Sequence, residues 1–136
     1  MSKQVLDVHQ MQHLQELGLD TNNASMCWLK TPNGRDLTFN DECINNDEWI
    51  NLDESLLDPV PAYTLQDVLD VLPEYIYDST EQYLLEINMF FKYIRYSRFN
   101  DVLTKRNFDR KPIIDAAYKL LVWCVENKFV ETNKNE

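Results

Sequence analysis

Two histidines four residues apart are the first candidates for chemistry in this chain. His9 and His13 would lie on one face of a helix, where both could approach a metal ion. Zinc sites need three or four ligands, and the chain contains only these two histidines. The sequence therefore predicts two histidines on a helix surface and no bound metal or other cofactor.

A cluster of carboxylates between residues 41 and 48 is the second candidate. Asp41, Glu42, Asp47 and Glu48 supply the oxygen ligands that calcium prefers. An EF-hand loop also needs a central glycine, and the stretch Asp41–Leu52 has none. A solvated acidic loop is therefore expected here, containing a short strand at Trp49–Leu52.

The sequence contains no motif for a catalytic serine or for a phosphate-binding loop. No serine lies in a GxSxG turn. The two glycines, Gly18 and Gly34, are too few for a dinucleotide fingerprint or a phosphate-cradling loop. These observations favour a non-enzymatic protein, and a small enzyme with an unrecognised site is the alternative.

The cysteines and the lengths of the apolar runs bear on the cellular compartment of the protein. Cys27, Cys43 and Cys124 are an odd number without a CxxC pair, so we expect unpaired apolar fillers in a reducing environment. No apolar run approaches the roughly 18–20 residues of a membrane span. The first residues do not resemble a secretory signal. A cytoplasmic protein is expected.

The first half of the chain predicts one helix and one hairpin. Apolar residues at three-residue steps predict a helix over Gln4–Leu17, with Gly18 in the left-handed cap. Met26–Leu29 and Leu37–Phe39 flank the turn residues Thr31–Gly34, a pattern typical of a β-hairpin.

The second half predicts two helices and two strands. A capping Thr64 and apolar i, i+3, i+4 spacing predict a helix ending before Pro73, and Pro112 begins another through Glu126. Tyr83–Asn88 and Tyr93–Phe99 read as strands, and the following stretch to Lys111 is polar and basic. The expected fold is α+β: an antiparallel sheet of about four to five strands covered by two to three helices. Residues 1–130 would form one domain, with a polar tail at 131–136.

Three segments resemble a group of mobile-element proteins. Residues 16–26, Pro61–Pro73 and Asp115–Asn127 are similar to segments of small uncharacterised proteins encoded by bacterial phages, prophages and other mobile elements. The similar segments cover about a third of the chain. The resemblance implies a bacterial cytoplasmic setting, and it supplies neither a reaction nor functional residues.

Charge is unevenly distributed along the 136 residues, whose net charge is −10. Residues 1–35 are neutral overall, residues 36–91 hold fourteen acids and no Lys or Arg, and residues 92–136 carry +4. A two-signed chain can pair its charges internally or present one sign to a partner.

The acidic segment leads to the principal functional hypothesis. A negative surface attracts a basic partner, and an aromatic residue within it can act as an anchor. We therefore expect a non-enzymatic accessory protein of a phage or mobile element that binds another protein through an acidic surface. The candidate contacts are Asp41, Glu42, Asp47, Glu48, Trp49, Asp53, Glu54 and Asp58.

The basic segment 92–111 supports an alternative. Cations interleaved with aromatic residues can follow a phosphate backbone and stack on bases. The residues concerned are Lys92, Tyr93, Arg95, Tyr96, Arg98, Lys105, Arg106, Arg110 and Lys111. Nucleic-acid binding would have to overcome the repulsion from the net charge of −10.

Overall fold

The computed structural model describes residues 3–31, 34–39 and 59–132. Along the chain these residues form α1 (Val8–Glu16), β1 (Met26–Thr31), β2 (Gly34–Phe39), β3 (Val60–Ala62), α2 (Leu65–Val71), β4 (Tyr75–Asp78), β5 (Glu81–Asn88), β6 (Tyr93–Arg98), β7 (Asp101–Asn107) and α3 (Ile113–Glu126). The α+β prediction is confirmed, and the strands are divided between two antiparallel sheets.

The two sheets differ in how their strands are connected. The first sheet has the order β2-β1-β3, and the second has the order β4-β5-β6-β7. In the second sheet each strand pairs with the next one along the chain, because short turns bring antiparallel neighbours together. The predicted hairpin is confirmed by the antiparallel register from Met26↔Phe39 to Thr31↔Gly34.

Helix α1 begins later than the sequence pattern indicates. Asp7 is its N-cap: the Asp7 carboxylate accepts from the Gln10 N–H at 2.8 Å, and the Gln10 side chain accepts from the Asp7 N–H at 3.0 Å. This capping box starts the helix at Val8, so the predicted start at Gln4 is wrong. The predicted end is confirmed, because Gly18 has a φ of 95° and the Leu19 N–H donates to the Leu14 carbonyl.

The later helices follow their predicted signals. Thr64 caps α2 in a box with Asp67, and α3 follows the N-cap Pro112 and ends at Glu126. Strands β3, β4 and β7 are not among the elements that the sequence pattern predicts. β4 has only four residues. β7 is an edge strand rich in polar residues, which resembles a loop in sequence.

One cluster of buried side chains joins both sheets and all three helices. It includes Met11 from α1, Val68 from α2, Ile94 from β6 and Leu120 from α3, each with no exposed surface. Tyr63 is also fully buried, and its hydroxyl donates to the Asn23 side chain at 2.6 Å. Burial raises the pKa of Tyr63 to about 12, with Asp67 and Asp20 adding to the effect.

The cysteines differ from the sequence expectation. Cys27 in β1 is disulfide-bonded, so its interpretation as an unpaired filler is wrong. Cys124 in α3 is a free thiol buried in the core, as expected. Among the described residues, no helix has the length and apolarity needed to cross a membrane.

Candidate functional site

The second sheet presents one face to the helices and one face to solvent. Helix α3 packs against β6 and β7, and α2 packs against α3. Because side chains alternate along strands, Ile76, Ile94 and Tyr96 point towards the helices and are buried. We call the opposite side the outer face. It carries Tyr75, Tyr77, Leu84, Glu86, Tyr93, Arg95, Ser97 and Lys105.

Strand register arranges the outer face in rows. Leu84 lies between Tyr75 and Ser97, and Arg95 lies between Glu86 and Lys105. Cross-strand neighbours on one face are close enough to contact each other. The first row is therefore mainly apolar, and the second is charged.

A hydrogen-bonded cluster is centred on Glu86 in the charged row and extends to its neighbours. The Glu86 carboxylate accepts from the Tyr93 hydroxyl at 2.8 Å, from Arg95 Nη2 at 3.0 Å and from the Ser97 hydroxyl at 3.2 Å. The Tyr93 bond is the largest influence on the pKa of Glu86, which is lowered despite the opposing effect of burial. The same bond raises the pKa of Tyr93. Glu86 is therefore an internally satisfied carboxylate.

The Tyr93 ring contacts two cations. The Arg95 guanidinium carbon lies 4.4 Å from the ring centroid, and Lys105 Nζ lies 5.3 Å from it. Cations attracted to the ring face stabilise this arrangement. Tyr93 is thus engaged through both its ring and its hydroxyl.

A groove of about 810 Å³ lies on the outer face towards the β4–β5 and β6–β7 turns. Its most exposed apolar side chains are Tyr77, Leu84 and Phe99, which are 55%, 55% and 90% exposed. Gln82 and Ser97 contribute polar groups. We call these five residues the apolar groove. Its volume falls within the range of known binding pockets.

Phe99 is held in an unusual backbone conformation at the mouth of this groove. Its φ is 51°, in the left-handed region that bulky residues seldom adopt. The Arg98 guanidinium carbon lies 5.5 Å from the Phe99 ring centroid, and Arg98 also forms an ion pair with Glu81. The turn therefore presents an aromatic ring to solvent at a cost in local conformational energy.

The groove end of the sheet is negatively charged. Asp78 and Glu81 face each other across β4 and β5, and Asp101 faces Arg98 across β6 and β7. Within residues 77–82 and 97–102, three carboxylates therefore accompany one cation. An exposed apolar surface lies beside an acidic rim.

The acidic contacts predicted from the sequence are not among the residues that the structure describes. They are Asp41, Glu42, Asp47, Glu48, Trp49, Asp53, Glu54 and Asp58, and all lie outside the described residues, as does the short strand expected at Trp49–Leu52. Other acids of the same segment are placed. Glu81 and Glu86 pair with Arg98 and Arg95, so part of the acidic segment is neutralised by the basic one.

The residues of the nucleic-acid alternative are separated by the sheet. Tyr93, Arg95 and Lys105 share the outer face. Tyr96 is fully buried on the other side, and its hydroxyl donates to the Pro73 carbonyl at 2.7 Å. Burial raises the pKa of Tyr96. Tyr96 cannot stack on a base, so its proposed role in that alternative is wrong.

The remaining basic residues of the alternative are dispersed. Arg98 is paired with Glu81, and Arg106 lies on the side of β7 that faces α3. Lys92, Arg110 and Lys111 are exposed in turns outside the strands. These cations do not form one track along the outer face.

Sequence reasoning missed the residues of the apolar groove. Tyr77 belongs to the unpredicted strand β4, and Phe99 belongs to a turn. The alternating Tyr75-Ile76-Tyr77 pattern was a signal for a strand, but it is too short to be decisive.

Metal and thiol chemistry receive no support from the described residues. Within residues 3–31, 34–39 and 59–132, no group of three His, Cys, Asp or Glu side chains could hold a metal ion. His13 instead bonds Tyr118, with Nδ1 and Oη 2.6 Å apart. Burial raises the pKa of the Cys124 thiol to about 11, which disfavours the thiolate that a nucleophile needs.

Comparison with known proteins does not assign this chain to a family. No protein-family model matches it, and neither the curated proteins nor the solved structures contain a match.

Proposed function

We propose that this chain is a non-enzymatic protein-binding module whose partner inserts an apolar side chain, flanked by basic residues, into the apolar groove. The observation that carries the proposal is the exposure of Tyr77, Leu84 and Phe99 around one concavity of about 810 Å³. Exposed apolar patches of this kind commonly mark interaction sites.

The groove has the composition expected of an interface centre. Aromatic and aliphatic side chains supply most of the binding energy at hot spots, and a surrounding polar rim excludes water. Tyr77 packs edge-on against Tyr75, with ring centroids 5.8 Å apart, so the groove wall is already ordered. An ordered wall reduces the entropy lost on binding.

Charge favours a basic partner. Asp78 and Asp101 lie at the groove end beside the Glu81–Arg98 ion pair, so this end keeps a negative charge, and the whole chain carries −10. A complementary positive segment would approach faster and dock in a defined orientation. The proposed binding surface is therefore still acidic, but it is centred on the apolar groove of the second sheet.

The same geometry gives less support to nucleic-acid binding. Arg95 is committed to Glu86, and the Tyr93 ring already contacts two cations. A phosphate backbone would also meet the carboxylates of the groove end, where repulsion raises the free energy of binding. Low-salt electrophoretic shift assays with single- and double-stranded probes test this alternative.

The experiment for the proposal is selection of a displayed random-peptide library on the purified chain. We expect selected peptides to combine an apolar residue with Lys or Arg. The double variant Tyr77→Ser/Leu84→Ser should bind them about 30-fold more weakly, at roughly 1 kcal/mol for each truncated contact. Binding should also weaken as salt rises, because the charges are exposed.

The matched control removes apolar surface at the opposite end of the sheet. Phe90 and Phe91 are 84% and 68% exposed in the β5–β6 turn. The variant Phe90→Ser/Phe91→Ser should leave peptide affinity unchanged. Equal affinity of the groove variant and the wild type would contradict the proposal, and salt-independent binding would contradict its electrostatic part.

The proposed setting is the cytoplasm of a bacterium that carries a phage or mobile element. The resemblance of residues 16–26, Pro61–Pro73 and Asp115–Asn127 supports it. The disulfide at Cys27 argues the other way, since disulfides persist mainly in oxidising compartments.

Thiol trapping in cells tests this setting. A chain kept reduced in the cytoplasm should show three alkylated cysteines when cells are quenched with an alkylating reagent and the protein is analysed by intact mass. A disulfide at Cys27 would leave fewer alkylated thiols and contradict a reducing setting. Protein reduced before alkylation provides the reference mass.

A further inference from the structure

A second concavity lies on the other side of the second sheet. It is a cleft of about 330 Å³ between α1, β7 and α3. It is lined by His13, Arg106, Tyr118, Lys119, Val122, Trp123 and Glu126. None of them lines the apolar groove, so the two sites are separate.

Polar contacts between α1 and α3 fix one wall of this cleft. Gln10 and His13 are three residues apart on α1, and Asp115 and Tyr118 have the same spacing on α3. Gln10 Nε2 donates to Asp115 at 3.0 Å, and His13 Nδ1 lies 2.6 Å from the Tyr118 hydroxyl. Lys3 also pairs with Asp115 at 2.7 Å. The wall is therefore ordered before any ligand binds.

Within the part of the chain that the structure describes, two cations of the cleft form no ion pair. Lys3, Arg95 and Arg98 each form an ion pair, whereas neither Arg106 nor Lys119 forms one with a residue in the described ranges. Arg106 Nη1 donates to the Lys105 carbonyl at 3.1 Å, which leaves the other guanidinium donors available. The cleft is lined by these two cations and one carboxylate, Glu126, so its lining keeps an excess of positive charge in a chain whose net charge is −10. This local excess favours an external anion.

The floor of the cleft is apolar and held in place. Val122 and Trp123 are partly buried against the core. The Trp123 ring stacks on Phe129, with centroids 5.3 Å apart, and lies 6.4 Å from the Tyr96 ring. A planar apolar group could therefore pack here without reorganising the wall.

We propose that this cleft binds a small organic anion, with a carboxylate or phosphate head on Arg106 and Lys119 and a single-ring apolar body on Val122 and Trp123. The guanidinium fork matches both heads, since each offers two oxygens in one plane. A volume of about 330 Å³ is at the small end of ligand pockets, which favours a one-ring ligand.

Titration of the full chain with phenyl phosphate and with benzoate, followed by backbone amide NMR, tests the proposal. We expect saturable shifts at residues 106 and 118–126 with at least one of the two probes. Their relative affinities identify the preferred head. Inorganic phosphate and benzyl alcohol, which carry the head and the body alone, should each bind about tenfold or more weakly, because each loses one set of contacts.

Matched charge variants separate a built site from a general charge effect. Arg106→Gln/Lys119→Gln should weaken binding by about tenfold or more. Lys105→Gln/Lys128→Gln changes the net charge equally outside the cleft and should leave affinity unchanged. Glu126 is the carboxylate that lines the cleft, so Glu126→Gln should tighten binding even if the double variant folds poorly.

Several results would overturn the proposal. They are the absence of saturable shifts at α3 with both aromatic anions, an equal loss of affinity in the two double variants, and benzyl alcohol binding as tightly as benzoate. Peptide binding at the apolar groove is measured independently, because the two sites share no lining residue. Failure of one proposal therefore leaves the other intact.

Discussion

Replacing Leu120 with alanine is expected to lower the free energy of unfolding by about 3 to 4 kcal/mol. Leu120 has no exposed surface and lies on α3 within the cluster that joins both sheets and all three helices. Truncation removes buried methyl groups and leaves a cavity that the surrounding helix and sheet can only partly fill. Urea unfolding followed by circular dichroism measures the change.

The neighbouring Lys119 provides the control, because it is exposed on the same helix. Lys119→Ala should change stability by less than about 0.5 kcal/mol. A loss below about 1 kcal/mol for Leu120→Ala would mean that α3 does not pack on the sheet as described. The outer face would then lose its rigid support.

Replacing Asp67 with alanine is expected to cost about 2 to 3 kcal/mol of stability. Asp67 is only 8% exposed. Its carboxylate accepts from the Ser25 N–H at 2.9 Å, the Ser25 hydroxyl at 2.6 Å and the Thr64 N–H at 3.0 Å. Alanine leaves these donors without their acceptor, including the Thr64 N–H that the Asp67 carboxylate satisfies in the capping box of α2.

Asp70 provides the matched control on the same helix. It is exposed and accepts only a side-chain hydrogen bond from Gln66 among the described contacts. Asp70→Ala should therefore change stability by less than about 0.5 kcal/mol. Equal losses for the two variants in chemical denaturation would contradict a bridging role for Asp67.

The contribution of Asp67 should also depend on pH. Burial tends to raise its pKa, but the hydrogen bonds from Ser25 and Thr64 outweigh burial and lower it below the usual 3.8. A lowered pKa means that the stabilisation is present above pH 3.8 and is lost as pH falls through the lower folded value. The stability difference between wild type and Asp67→Asn should therefore shrink in strongly acidic buffer.

Asp67 makes one contact that the sequence predicts and one that it does not. Its place in the cap of α2 was predictable, because the Thr64-to-Asp67 spacing is a local pattern. Its bond to Ser25 joins residues 42 positions apart, and no local pattern encodes that distance. Strand β6 was likewise predictable from its own residues. The bond between Arg95 in β6 and Glu86 in β5 was not, because it depends on the register between the two strands.

Strand β7 could not be predicted from its own residues. Its residues are mainly polar because an edge strand faces water on several sides, so composition alone indicates a loop. Without β4 and β7, the four-stranded sheet and its apolar groove could not be anticipated. The sequence instead predicts the candidate contacts in the acidic segment, because residues 36–91 hold fourteen acids and no Lys or Arg.

Residue order was sufficient to predict the α+β class, the helix ends before Gly18 and before Pro73, and the hairpin. Each of these features depends on neighbours within a few positions. It also established the opposite charges of residues 36–91 and 92–136. Strand register brought Glu86 to Arg95, buried Tyr96 and exposed Tyr77 and Leu84. The turn between β6 and β7 placed Phe99 beside them around one groove. These outcomes arise from the pairing of strands and the packing of the sheet on the helices, whose free energies depend on the whole fold.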